Sequence, residues 1–143
     1  MQAIKEQAGE IGDALRYTMQ LPPDEYTNAY EAISEELVRQ GYSSAKVKNG
    51  WAADSPYEGK YKGINSSWET KSGQVFELQF HTQDSFDMKQ DGTHELYEEV
   101  RKPGVTDARK AEIDVELREK FTSVPIPDRA EGIKQYKRPP SEK

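Results

Sequence analysis

The decapeptide GQVFELQFHT, residues 73 to 82, carries the side chains best suited to chemistry. Its alternation puts Phe76, Leu78 and Phe80 on one face of a strand and Val75, Glu77, Gln79 and His81 on the other, because successive side chains point to opposite sides. Glu77, Gln79 and His81 would stand in one row, each about 7 Å from the next. A carboxylate so placed can hold a metal ion or take a proton, while an amide and an imidazole can hydrogen-bond a ligand. Upstream, Lys46, Lys48, Lys60 and Lys62 form the only local basic cluster before this strand. The same alternation also describes an ordinary solvated sheet face, so the elements around it must decide between a site and a surface.

Those elements are legible in outline. In GDALRYTMQLPPDEY, Leu15, Tyr17 and Met19 share one face of a short strand that Pro22 and Pro23 stop. From Asp24 onward, Tyr26, Tyr30, Ile33 and Leu37 recur at helical spacing, with acidic residues at the start and Gly41 at the end. YSSAKVKN predicts a strand, and WAADSPYEGKYKG a loop punctuated by Pro56, Gly59 and Gly63. YKGINSSWET predicts a strand that turns at Ser72 and Gly73 into the polar row, its hairpin partner.

The second half is helical in pattern, interrupted at Gly92 and stopped at Pro103. It resumes in TDARKAEIDVELREKFTSVP with Ala108, Ala111, Val115 and Phe121 as the expected apolar contacts. Trp51 and Trp68 read as core or platform residues, and His94 as a packing and hydrogen-bonding residue. The order is a helix remnant, a strand, a helix, three strands and two helices. It predicts an α+β domain with a small mixed or antiparallel sheet of about four to five strands flanked by helices. One domain is expected over 1-134, with a flexible, Pro- and charge-rich tail at 135-143.

Composition narrows the function classes. At 143 residues the chain fits one domain with one core. With 34% hydrophobic and 32% charged residues and a mean hydropathy of -1.00, the apolar side chains must sit on well-defined faces. The absence of cysteine excludes disulfides and thiolate metal sites, and two histidines argue against a histidine-rich zinc site. No segment approaches the apolar length of a membrane span or a signal peptide, so a soluble chain is expected. A net charge of -6 argues against generic DNA binding while leaving room for a local basic pocket around nucleotide phosphates.

Five segments in order resemble the synthetase domain of RelA/SpoT-type proteins. YKGIN, Tyr61 to Asn65, is similar to that family's Tyr-x-x-Ile/Leu-His element. GQVFELQFHT is similar to its Gly-x-x-x-Glu-Ile/Val-Gln-Ile-Arg-Thr strand, and HELYEEVRK, from His94, to its His-Trp-x-Tyr-Lys element. GDALRYTM resembles the Asp-led strand that holds a catalytic carboxylate, and KVKNGW the Val-Lys-Asp-Tyr element before the Tyr motif. The similarity runs from about Asp13 to Arg101.

The resemblance implies an ATP-dependent pyrophosphokinase, a transferase moving pyrophosphate from ATP to the ribose 3'-hydroxyl of a purine nucleotide. Such chemistry needs charge held on Mg2+, cations around the phosphates and a positioned acceptor oxygen. By the same resemblance Asp13 and Glu77 are the catalytic and Mg2+-holding carboxylates, with Glu77 taking the hydroxyl proton or sharing the metal. Tyr61 would stack on the acceptor base, and Lys48 and Lys62 would meet phosphates. Gln79, His81, Asn65 and Arg16 would complete the substrate site.

The compact form looks like the toxin-type branch. That implies a cytoplasmic site of action, an immunity protein as partner, and delivery as the C-terminal part of a secreted or phage-associated protein. The chain departs from the pattern at Thr18, where the family has arginine, and at Asn65 and His81, where it has histidine and arginine. Only Lys5 supplies basic character before Asp13. Transfer to tRNA or an adenine nucleotide is the second reading, and a catalytically inactive binding module in a phage or secreted protein the third.

Overall fold

The computed structural model describes residues 5–7, 15–55, 57 and 60–138. The strands are β1 (Lys5–Gln7), β2 (Leu15–Gln20), β3 (Ser43–Asn49), β4 (Ile64–Glu69), β5 (Val75–His81) and β6 (Tyr136–Lys137). They form one mixed sheet in the order β1-β2-β5-β4-β3-β6. β5 lies between β2, its only parallel partner, and β4, its antiparallel hairpin partner. The class is α+β, as expected. The sheet has six strands because two short edges were not legible: Lys5–Gln7, expected as a helix remnant, pairs antiparallel with β2, and Tyr136–Lys137 pairs antiparallel with β3.

Helix α1 (Tyr26–Arg39) covers one face of this sheet. Its Tyr30 ring meets Phe80 edge-on at 4.9 Å, and Tyr26 packs edge-on against Trp51 at 5.6 Å. The sheet contributes Met19, Val47, Ile64, Trp68, Leu78 and Phe80 to the same core. Tyr26 also uses its polar end: the hydroxyl donates to the Phe80 carbonyl at 2.5 Å and accepts from Trp51 Nε1 at 3.0 Å. A fully buried phenol is thereby satisfied twice, and burial raises its pKa far above the ordinary value.

The carboxyl-terminal segment closes the β3 edge where the composition predicts a loose tail. Asn49, fully buried, donates through Nδ2 to the carbonyls of Ala130 and Ile133, and its own backbone N–H donates to Gln135 Oε1 at 2.9 Å. Arg138 pairs with Glu69 at 2.5 Å.

After β5 come α2 (Gln83–Asp87), a π-helical turn (Met88–Gly92), α3 (His94–Arg101) and α4 (Asp107–Thr122). Arg109 forks onto Glu99 with contacts of 2.6 and 2.8 Å, joining α4 to α3. Thr106 caps α4 by accepting from the Arg109 N–H. The expected apolar face of α4 is corrected. Ile113, Leu117 and Phe121 are buried, at the i, i+4, i+8 spacing of one helical stripe, whereas Ala108, Ala111 and Val115 are exposed. Of the expected contacts only Phe121 lies on the buried side, because the alanines and Val115 fall outside that stripe.

This register gives a direct test. Ile113→Ala should cost about 2–5 kcal/mol in denaturant unfolding, whereas Val115→Ala should stay within about 0.5 kcal/mol of wild type. The reverse ranking would show that α4 packs by another face.

Candidate active site

The face of the sheet opposite α1 is polar, and register alone brings most of it together. Arg16 pairs with Glu77 and Thr18 with Gln79 across β2 and β5. Glu77 pairs with Ser67 and Gln79 with Asn65 across β5 and β4, and Lys48 with Asn65 across β3 and β4. Five expected site residues, Arg16, Lys48, Asn65, Glu77 and Gln79, therefore share one sheet face. Asp13 lies outside the described residues.

Glu77 is the carboxylate that Arg16 faces across β2 and β5. Its side chain retains 24% exposure, and Arg16 Nε lies 3.4 Å from Oε2. A carboxylate one strand away from a half-exposed guanidinium stays reachable from solvent yet anchored. Gln79 is buried, and its Oε1 accepts from Lys89 Nζ at 3.0 Å. Lys89, which the sequence reading missed, comes from the π-helical turn. Desolvation lowers its pKa, Arg16 lowers it further, and Glu77 opposes both.

His81 takes a supporting position. It is fully buried rather than lining a floor. One ring nitrogen lies 3.0 Å from the Tyr61 hydroxyl and the other 2.8 Å from Ser85 Oγ. Ser85 is fixed in turn by a reciprocal capping box with Thr82 at the start of α2. The chain makes room for the ring at Gly63, whose φ is +140°. A Cβ there would approach His81 Cε1 to 2.8 Å, so neither the backbone conformation nor the contact tolerates a side chain. Desolvation, with a smaller push from Lys89, lowers the imidazole pKa to about 3.

Tyr61 is thereby held from several sides. Its hydroxyl meets His81, and its ring lies 4.7 Å from that of Tyr57 at a 51° tilt. Burial raises its pKa well above the ordinary value. Tyr57 accepts from Asn65 Nδ2 at 3.3 Å, and Lys48 Nζ lies 5.8 Å from the Tyr57 ring centre. Tyr57 was not legible as a site residue because it stands in a loop without periodicity. The loop is tied down by the helices: Tyr97 donates to the Lys60 carbonyl at 3.1 Å, and Lys60 Nζ pairs with Asp114 at 2.7 Å.

Desolvation lowers the Lys62 pKa, and the Glu131 carboxylate opposes it. His94 pairs with Glu98 on the exposed side of α3 at 3.1 Å.

Three cavities of about 440, 310 and 570 Å³ open on the α1 side of the sheet, each lined by α1 residues. Their linings contain one cation, Lys134. The polar face carries the cations Arg16, Lys48 and Lys89. Among the described residues no group of three or more acidic or histidine side chains could hold a metal ion, and no helix is long and apolar enough to cross a membrane.

Solved structures similar to the chain include a GTP pyrophosphokinase family protein from Streptococcus pneumoniae (16% identity, TM-score 0.46), small alarmone synthetase 1 from Bacillus subtilis bound to its product pppGpp (14%, 0.45), and the type VI effector Tas1 in complex with its immunity protein (23%, 0.45). The alignments cover 76%, 76% and 80% of this chain and 57%, 56% and 68% of those chains, so it spans little more than half the length of the first two. No family model matches the sequence, and no curated protein matches it. At these identities and scores the likeness is distant, and the weight falls on the motif order and the polar face.

The buried imidazole predicts a pH dependence. The unfolded chain takes up a proton near the ordinary histidine value of 6.5, which folded His81 refuses until about 3. The unfolded state thus binds more protons, and stability falls as pH drops below about 6.5, by about 1.4 kcal/mol per unit. Urea unfolding between about pH 6.5 and about pH 5, above the ordinary carboxylate range, should show this slope. His81→Gln should flatten it, and an equal slope in both proteins would exclude His81 as its source.

Proposed function

We propose that this chain is a nucleotide pyrophosphokinase that works on the polar face of its sheet, transferring pyrophosphate from ATP to the ribose 3'-hydroxyl of a purine nucleotide. The observation that carries the reading is the placement of Glu77. It stands at the centre of a face where Arg16 and Gln79–Lys89 flank it, beside a tyrosine pair attended by Lys48. Of these, Arg16, Lys48, Tyr61, Glu77 and Gln79 are residues to which the resemblance gives roles in this chemistry.

In the proposed step the acceptor 3'-oxygen forms a bond to the β-phosphorus of ATP. The bond from that phosphorus to the α,β-bridging oxygen breaks, and AMP leaves with the electron pair. Glu77 takes the hydroxyl proton as the oxygen attacks. Arg16 and Lys48 supply positive charge, and Tyr57 with Tyr61 offers an aromatic pair against which a purine can stack. Mg2+, held by Glu77 with Asp13, would neutralise charge on the transferred group. An ion bound through one or two carboxylates plus substrate phosphates requires no larger acidic cluster. A toxin or effector role in a target cytoplasm, restrained by an immunity protein, belongs to the same proposal.

The test is to incubate the chain with ATP, Mg2+ and, separately, guanine nucleotides, adenine nucleotides and tRNA, reading acceptor mass and AMP release. One purine nucleotide should gain a pyrophosphoryl group with matching AMP. Glu77→Gln should lose at least about a hundredfold in rate with its thermal midpoint retained. Release of no AMP with any acceptor, or an undiminished Glu77→Gln, would overturn the reading. Tyr57→Ala should weaken acceptor binding by about 1–3 kcal/mol, and unchanged acceptor affinity would remove that ring from the site.

A further inference from the structure

Glu77 has two cations around it, and the second is placed with care. Lys89 sits on the π-helical turn Met88–Gly92, whose width frees carbonyls from the usual helical pattern. The fully buried Thr93 answers this, its hydroxyl donating to the carbonyls of Met88 at 3.0 Å and Lys89 at 3.4 Å. A Cβ at Gly92 would meet Met88 Sδ, the far end of a flexible side chain, at 2.4 Å. The turn delivers Lys89 Nζ to Gln79.

One N–H of the ammonium is occupied by Gln79, and a lysine offers three. Among the described residues no carboxylate lies within ion-pair distance of Lys89. Beside Gln79 in the register stands Thr18, 2% exposed, whose hydroxyl has no hydrogen-bond partner. A buried hydroxyl without a partner is costly and needs a reason. Arg16 lies two residues before Thr18 on the same strand face, about 7 Å away, a span that two linked phosphates bridge. Two cations against one carboxylate leave this corner with an excess of positive charge.

We propose that Lys89, Arg16 and the Thr18 hydroxyl form a subsite for the diphosphate portion of a nucleotide, laid over Gln79. The inference deepens the pyrophosphokinase reading and rests on it for the nucleotide's identity. The anion would supply the acceptor atoms that the buried Thr18 hydroxyl lacks and the ion-pair partner that the half-buried Lys89 lacks, so both groups would be satisfied only in the complex.

The probe is inorganic pyrophosphate, titrated calorimetrically without metal into the 143-residue chain and its variants. Wild type should bind, Lys89→Met should weaken binding by at least about tenfold, and Lys89→Arg should retain most of it. Thr18→Val, nearly the same shape, should lose roughly fivefold in affinity while its thermal midpoint holds or rises, because the unpartnered hydroxyl is gone. A wild type that does not bind pyrophosphate, or variants that bind it equally well, would overturn the subsite. Nucleotide transfer that persists with unaltered pyrophosphate affinity in both variants would sink the subsite and leave the pyrophosphokinase standing. Lys89-dependent binding without transfer to any acceptor would do the opposite.

Discussion

The register of β5 is the constraint on which the rest depends. Its period of two sends Leu78 and Phe80 into the core beneath α1 and presents Glu77 and Gln79 on the other face. A slip of one residue would bury the carboxylate among Met19, Ile64 and Trp68 and expose the phenylalanine, at a cost no neighbour could offset. The slip is opposed from both sides. Tyr26 bonds the Phe80 carbonyl from α1, and His81 bonds Tyr61 and Ser85 beyond the end of the strand. The core thus fixes the positions of groups that do not belong to it.

Polar groups at this sheet fall into two kinds. His81, Asn49 and Ser66 are buried and fully engaged by loops or strand carbonyls, and they behave as structural fasteners. Arg16, Glu77, Lys48 and Lys89 keep charge near one another, with a single ion pair of 3.4 Å at the centre. Maintaining Lys89 against desolvation and beside another cation costs stability, a cost more readily understood at a binding surface than at a solvated one. Thr18 adds an unsatisfied hydroxyl to the same place.

Much of this was legible in the chain because it rests on periodicity. The strict alternation of residues 75 to 81 and the stripe Tyr26, Tyr30, Ile33, Leu37 each translate directly into a face. What escaped has physical reasons. Strands of three and two residues, β1 and β6, are too short to show a period and exist through their partners. On α4 the sequence reading expected Ala108, Ala111 and Val115 where the tertiary contact buries Ile113 and Leu117. Lys89 and Tyr57 reach the site from a π-turn and a loop, where spacing in sequence carries no direction.

The central claim is that nucleotides meet the polar face of the sheet and not the apolar grooves under α1. Backbone amide chemical shifts followed during titration with ATP and Mg2+ test it most directly. The expected result is perturbation concentrated on Arg16, Thr18, Glu77, Gln79 and the turn carrying Lys89, with the residues lining the α1 grooves, such as Leu37 and Tyr42, unmoved. Shifts confined to those grooves, with β5 and the Lys89 turn unchanged at saturation, would contradict it.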